Sequence, residues 1–241
     1  MTAMHSWAGA LGISGWQWIV GHRGEVGSRL LEHLELTVIA VVVGLVISFP
    51  LAVWAHRYRI LYAPITWVTG LLYTIPSLAL FVILIPITGL TVLTAEIGLV
   101  SYTLLILIRN IVAGLSGVPD DVKEAARGMG HTNRQLLWRV ELPLALPAIM
   151  AGIRIATVST IGLVTVAAFI GKGGLGQFIL EGLQIFFRAE ILLGTVLSVL
   201  LALVADALLL EGERLLTPWA RTSTPRTRPF VPPRTVEFPA D

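Results

Sequence analysis

A chain of 241 residues with 55% hydrophobic and only 13% charged residues cannot present the surface of a water-soluble domain, about a quarter of which is normally charged. Its mean hydropathy of +0.82 instead places lipid over much of the exterior, as a single membrane domain. A formal charge of +2 is too small to point to nucleic acid, and the absence of cysteine excludes disulfides, thiolate nucleophiles and cysteine-containing zinc sites.

The first apolar stretch, Trp7 to Val20, has no Lys or Arg ahead of it and is too short to span a bilayer. Trp7, Trp16 and Trp18 suit the headgroup region, so residues 1–33 read as an extracytoplasmic, interfacial segment, with a loosely ordered leader as the open alternative. Crossing about 30 Å of hydrocarbon takes roughly 20 apolar residues. Five stretches qualify: Leu34 to Trp54, Ile65 to Thr88, Thr91 to Leu115, Leu142 to Ile170 and Ile191 to Leu210. The expected fold class is therefore all-α and membrane-integral, with five transmembrane helices.

An odd number of spans sets the termini on opposite sides. Arg57 and Arg59, then Lys123, Arg127, Arg134 and Arg139, then Arg214, Arg221, Arg226, Arg228 and Arg234 fall on one side, against Arg23, Arg29, Lys172 and Arg188 on the other. Cytoplasmic loops are enriched in Lys and Arg, which predicts an N-terminus outside and a C-terminus in the cytoplasm. Residues 217–241, with Pro218, Pro225, Pro229, Pro232 and Pro233, cannot bury enough apolar surface to offset ordering and read as a disordered tail.

Inside the spans, Pro76 and Pro86 each remove a helical hydrogen bond, and Thr74 and Ser77 stand nearby to replace it. Tyr73, Thr74, Pro76 and Ser77 are thus candidates for a broken helix lining a pathway, against an ordinary proline kink. Charges at membrane depth are costly and usually paired. Asp206 is expected to pair with Arg109 or Arg154 as a clamp between helices, while Glu96 lies near the outer edge. Gly171, Gly173, Gly174 and Gly176 do not make a phosphate loop, because Gly171-Lys172 is followed by Gly173 and not by Ser or Thr. His5, His22, His33, His56 and His131 are too scattered to suggest a metal centre.

Between the third and fourth spans, the polar segment 117–141 is patterned for two short helices. Pro119, Asp120, Asp121 and Glu124 suit a first turn, Gly130 a left-handed end, and Thr132 with Gln135 a capping box leading through Leu136, Leu137 and Trp138 towards Pro143. Ala125, Ala126 and Gly128 leave a small-residue surface that another protein could approach closely. A docking helix and a simple connector both remain open on this ground alone.

Glu124-Ala125-Ala126, then Gly130, then Leu142-Pro143 resembles the EAA loop of ABC importer permeases. Together with His33 to Thr37, Thr74 to Leu80, Glu141-Leu142-Pro143 and Gly173-Gly174-Leu175-Gly176, the chain from about residue 30 to 214 is similar to the osmoprotectant branch, which imports glycine betaine, carnitine and choline. Lys172 departs from the small or uncharged residue usual there. The resemblance implies a methionine-importer-like, type I transmembrane domain over 34–216, in the inner membrane of a bacterium, with 117–141 as coupling loop. Glu124, Ala125, Ala126, Arg127 and Gly130 would contact the ATPase. It further implies a non-enzymatic chain working with two cytoplasmic ATP-binding subunits, a second permease and an external substrate-binding protein. No cofactor is expected on this chain, ATP and magnesium belonging to the partner. An amino-acid permease is the runner-up and an ion-coupled carrier the rival of another class.

Overall fold

A computed structural model describes residues 13–219, and every regular element among them is helical. Trp7 and the stretch from residue 220 lie outside the described residues, and with them most of the expected tail. A short helix, α1 (Ile13–Gly21), leads into α2 (Arg23–Arg57). The latter starts well before Leu34 because a charged turn extends it: Arg29 lies 3.9 Å from Glu25 and 3.6 Å from Glu32, at helical spacing, and 3.7 Å from Glu181. Its 35 residues measure about 52 Å, more than the hydrocarbon layer, so this ion-paired end projects beyond it.

The expected second span is two helices, α3 (Arg59–Thr74) and α4 (Ser77–Thr88), meeting at 94°. The residue before a proline is driven out of the helical region, and Ile75 accordingly sits at ψ 128°. Pro86 does not interrupt the chain as expected; it lies in the last turn of α4, where the helix runs on to Thr88. Next come α5 (Val92–Ser116), α6 (Asp120–Gly128) and α7 (Asn133–Leu136). A single π turn, Leu137–Glu141, joins α7 to α8 (Leu142–Val166). A 3-10 turn (Ala167–Ile170), α9 (Gly176–Gln184) and α10 (Arg188–Leu216) complete the order.

Two core clusters fix the helix directions. Leu36 and Ala40 of α2 meet Ala95 and Leu99 of α5 and Val164 of α8 in one. Ala52 meets Leu107 to Leu115 and Ala145 to Ala156 in the other. So α2 and α5 run parallel and α8 runs against them. The bent pair α3–α4 must therefore carry the chain from one end of α2 back to the opposite end, where α5 begins, and it counts as one span despite its break. With the four long apolar helices, this makes the five spans expected.

Lipid supplies no hydrophobic drive between helices, so close approach through small residues matters more. A Cβ on Gly44 would fall 1.9 Å from Thr103 Oγ1, one on Gly98 2.4 Å from Phe81, and one on Gly152 2.5 Å from Asn110. The double-glycine stretch works the same way at the far end of the bundle. Gly174 takes φ +48°, and a Cβ on it would come within 2.7 Å of the Arg29 carbonyl; at Gly176 the corresponding gap to Thr165 is 2.5 Å. These glycines lock the start of α9 against α2 and α8, and Leu175 between them is fully buried.

Candidate functional site

The segment between α5 and α8 is built from its local signals. Pro119 stands at the N-cap of α6, with Asp120 and Asp121 in the first turn and Lys123 bridging back to Asp120 at 3.2 Å. At the other end Gly130 takes φ +84°. Its amide donates to the Arg127 carbonyl at 2.9 Å, and the His131 amide donates to the Ala126 carbonyl at 3.2 Å, the paired bonds of a left-handed helix end. Thr132 and Gln135 then form the capping box in both directions.

The second loop helix is not the separate piece that the sequence suggests. Instead, α7 passes through the π turn straight into α8, giving one helical body from Asn133 to Val166. The last turn before Pro143 thus belongs to the span itself.

The faces of α6 are unequal. Ala126 is buried, whereas Glu124, Ala125 and Arg127 differ from it: Glu124 and Ala125 are exposed, and Val122 and Met129 are exposed at 39% and 73%. Val122, Ala125 and Met129 follow the helical repeat, so an apolar stripe flanked by Glu124 faces away from the bundle. Behind α6, groups that look scattered in the sequence tie the neighbouring helix ends to one another. His56, near the end of α2, sits 3.8 Å from Glu141 in the π turn, and its Nδ1 lies 3.2 Å from Ser116 Oγ at the end of α5. Three helix ends thus meet beneath α6. Only the spacing across 60 residues hid this, since no local motif links His56 to Ser116.

At membrane depth, Asp206 pairs with Arg154 and not with Arg109. Arg154 Nε lies 2.8 Å from Asp206 Oδ1 and Nη2 3.0 Å from Oδ2, with Glu213 3.4 Å from Nη1. This fork-to-fork geometry is the strong form of the pair. Glu213, which is one heptad from Asp206 and therefore on the same face, joins the pair and does not stand apart in water. Arg109 instead faces a cleft with His56, Arg59, Tyr62, Asp120 and Lys123, because it projects from the side of α5 that meets α3. Glu96 is buried in the opposite half of α5.

At the break between α3 and α4, the Thr74 hydroxyl donates to the Leu71 carbonyl at 2.8 Å, one residue before the Leu72 carbonyl that Pro76 deprives of its amide partner. The carbonyl of Ile75 is taken by the hydroxyl of Tyr102, from the middle of α5. Tyr102 was not foreseen, although a tyrosine in the centre of an apolar span announces that its hydroxyl has a partner. Tyr73 and Tyr102 are in edge contact, 5.6 Å between centroids at 61°. Among the described residues no group of three or more His, Cys, Asp or Glu could hold a metal.

With this geometry in place, the comparisons with known proteins are specific. Residues 38–216 match the family described as binding-protein-dependent transport system inner membrane component. The chain belongs to this family. The matched region runs from within α2 to the end of α10 and so includes the α6 loop, the helix break and the Arg154 pair. The choline transport system permease protein OpuBB of Bacillus subtilis is 38% identical over 202 residues, 84% of this chain and 93% of its own. The osmoprotectant import permease protein OsmW of Salmonella typhimurium is 38% identical over 206 residues, covering 83% and 96%. Among solved structures, the inward-facing MetNI methionine ABC transporter superposes with a TM-score of 0.69 at 26% identity, over 78% of this chain and 94% of that one. The permease thus has the all-α, type I importer fold that its loop motif implied.

Proposed function

We propose that the permease forms, with a second permease subunit, the membrane pathway of an ATP-driven importer for osmoprotectants such as glycine betaine, carnitine or choline. The observation that carries this reading is α6: a helix outside the bundle, offering Val122, Ala125 and Met129 beside Glu124, and continuous through a capped turn with the fourth span. Five spans are few to enclose a pathway on their own, which calls for the second permease. The ATP and magnesium chemistry belongs to two cytoplasmic ATP-binding subunits, on which α6 rests, and substrate arrives from an external binding protein. ATP binding and hydrolysis shift the assembly between outward- and inward-open states, and no covalent chemistry takes place on this chain.

In this reading α6 is cytoplasmic and the N-terminus external, in keeping with Arg57, Arg59, Lys123, Arg127, Arg134 and Arg139 at the α6 end. Single cysteines placed at Gly9 and Thr222 report the orientation in intact cells: an impermeant thiol reagent is expected to label the first and spare the second. The opposite pattern would invert the topology and remove α6 from the cytoplasm.

The functional reading is tested in vesicles reconstituted with the permease and its co-purified partners. Uptake of choline, carnitine or glycine betaine is expected to require ATP and to survive a protonophore. Uptake driven by an ion gradient without ATP would identify a secondary carrier. Competition by methionine or other amino acids, with none by the quaternary ammonium compounds, would establish the amino-acid alternative.

A further inference from the structure

The break between α3 and α4 lies far from either end of the bundle. Tyr102, which closes it, stands 10 residues after Val92 and 14 before Ser116, or roughly 15 and 21 Å along α5. Irregular backbone at that depth persists only where protein covers it or where it lines a polar cavity. This chain covers one side alone: Tyr102 is 7% exposed, while Tyr73 is 41% exposed and Thr74 is also open. The hydroxyl of Tyr102 is spent on the Ile75 carbonyl, and its ring holds that of Tyr73 in edge contact. Tyr73 is therefore an oriented aromatic ring presented at mid-depth, with the negative, carbonyl end of α3 directly beside it.

Such a surface suits one class of ligand. A weakly hydrated cation gains from an aromatic face and from helix-end carbonyls, and a quaternary ammonium group makes no hydrogen bonds that the site would have to satisfy. The face of α3 that carries Tyr73 continues, at i−4, i−7 and i−11, past Thr69, which is buried, and Thr66 to Tyr62, which lines the cleft with Arg59 and Arg109. The Thr66 hydroxyl is bonded back to its own helix at 2.7 Å, so it offers no strong site where a cation would be trapped.

We propose that Tyr73, held by Tyr102 at the helix break, receives the quaternary ammonium head of the substrate during its passage and makes the membrane pathway itself selective for that class. This rests on the osmoprotectant reading above. The test is uptake of choline and glycine betaine per ATP hydrolysed, in vesicles with the complete transporter and saturating, liganded binding protein. Tyr73→Phe and Tyr73→Trp keep an aromatic face and are expected to stay within about twofold of wild type. Tyr73→Leu is expected to lower the ratio at least tenfold, and Tyr73→Met, which keeps length without the π face, decides the matter if the leucine variant fails to assemble. A merely structural role would lower uptake and hydrolysis together and leave their ratio unchanged. A wild-type ratio in Tyr73→Leu or Tyr73→Met, or a loss in Tyr73→Phe equal to theirs, would overturn the proposal. If the wild-type assembly imports no quaternary ammonium compound at all, it is the functional reading that falls, and this inference with it.

Discussion

Replacing Asp206 by leucine is expected to cut the amount of assembled, thermally stable permease several-fold, and replacing Arg154 and Asp206 together is expected to restore most of it. The reason lies in how α10 is attached. Its buried residues, Ala189, Glu190, Gly194 and Ser198, all belong to its first half, where Gly194 lets the Leu175 carbonyl approach closely. From there to Leu216 the helix buries little, and the bonds from Arg154 to Asp206 and Glu213 are what tie it to α8. Arg154 is roughly 18 Å along α8 from Leu142, deep enough that an unpaired guanidinium must find water or another carboxylate.

Removing Asp206 leaves Arg154 only its single, longer contact with Glu213, whereas removing both takes out the guanidinium and leaves Glu213, two turns nearer the end of α10, to reach water. Glu213 is no neutral control, since it shares the arginine. Glu211→Gln serves better, because Glu211 pairs with Arg214 on an exposed surface, where ion pairs contribute little. Yields and melting curves in mild detergent read the result. If Asp206→Leu is tolerated as well as Glu211→Gln, or the double variant is worse than either single one, the clamp is not what holds α10.

The parts of this molecule that were legible in the sequence are those encoded by local or compositional signals. Span positions follow from runs of apolar residues, and the form of the α6 loop follows from Pro119, Gly130, Thr132 and Gln135, each acting on its own few bonds. Pro76 likewise marks a break at a definite place. Its size was not legible, since a proline alone excludes helix at Ile75 but does not say whether the next helix leaves at a slight angle or at 94°; packing against α5 decides that. Pro86 shows the converse, because near a helix end the same residue costs one bond and changes nothing else.

Partnerships across distant segments were the harder part. Asp206 announced that it needed a cation, yet Arg109 and Arg154 were equal candidates until the helix faces were known. His56 with Glu141 and Ser116, and Tyr102 with Ile75, depend on which helices are neighbours, and no spacing in one sequence carries that information.

Reversing the charge at Glu124 or stiffening the turn at Gly130 is expected to abolish transport without removing the permease from the membrane. Glu124 is exposed beside the apolar stripe of α6, so Glu124→Arg alters the surface proposed to meet the ATP-binding subunit and leaves the fold alone. Gly130 acts differently. Nothing lies within 4 Å of a Cβ there, so the space is free, but at φ +84° a β-branched side chain is strained. Gly130→Val should therefore disturb the left-handed end of α6 and its angle to α7, and through the unbroken body from α7 to α8 the coupling of loop to span. Gly130→Asn, which tolerates such a φ better, is expected to retain a substantial share of activity. The deciding measurement is ATP hydrolysis stimulated by liganded binding protein, taken alongside uptake in the same reconstituted vesicles. Glu124→Arg and Gly130→Val are each predicted to lose both by at least tenfold while inserting normally; wild-type stimulation and uptake in both variants would show that α6 only connects two spans, and would contradict its role as the point where ATP-driven motion enters the permease.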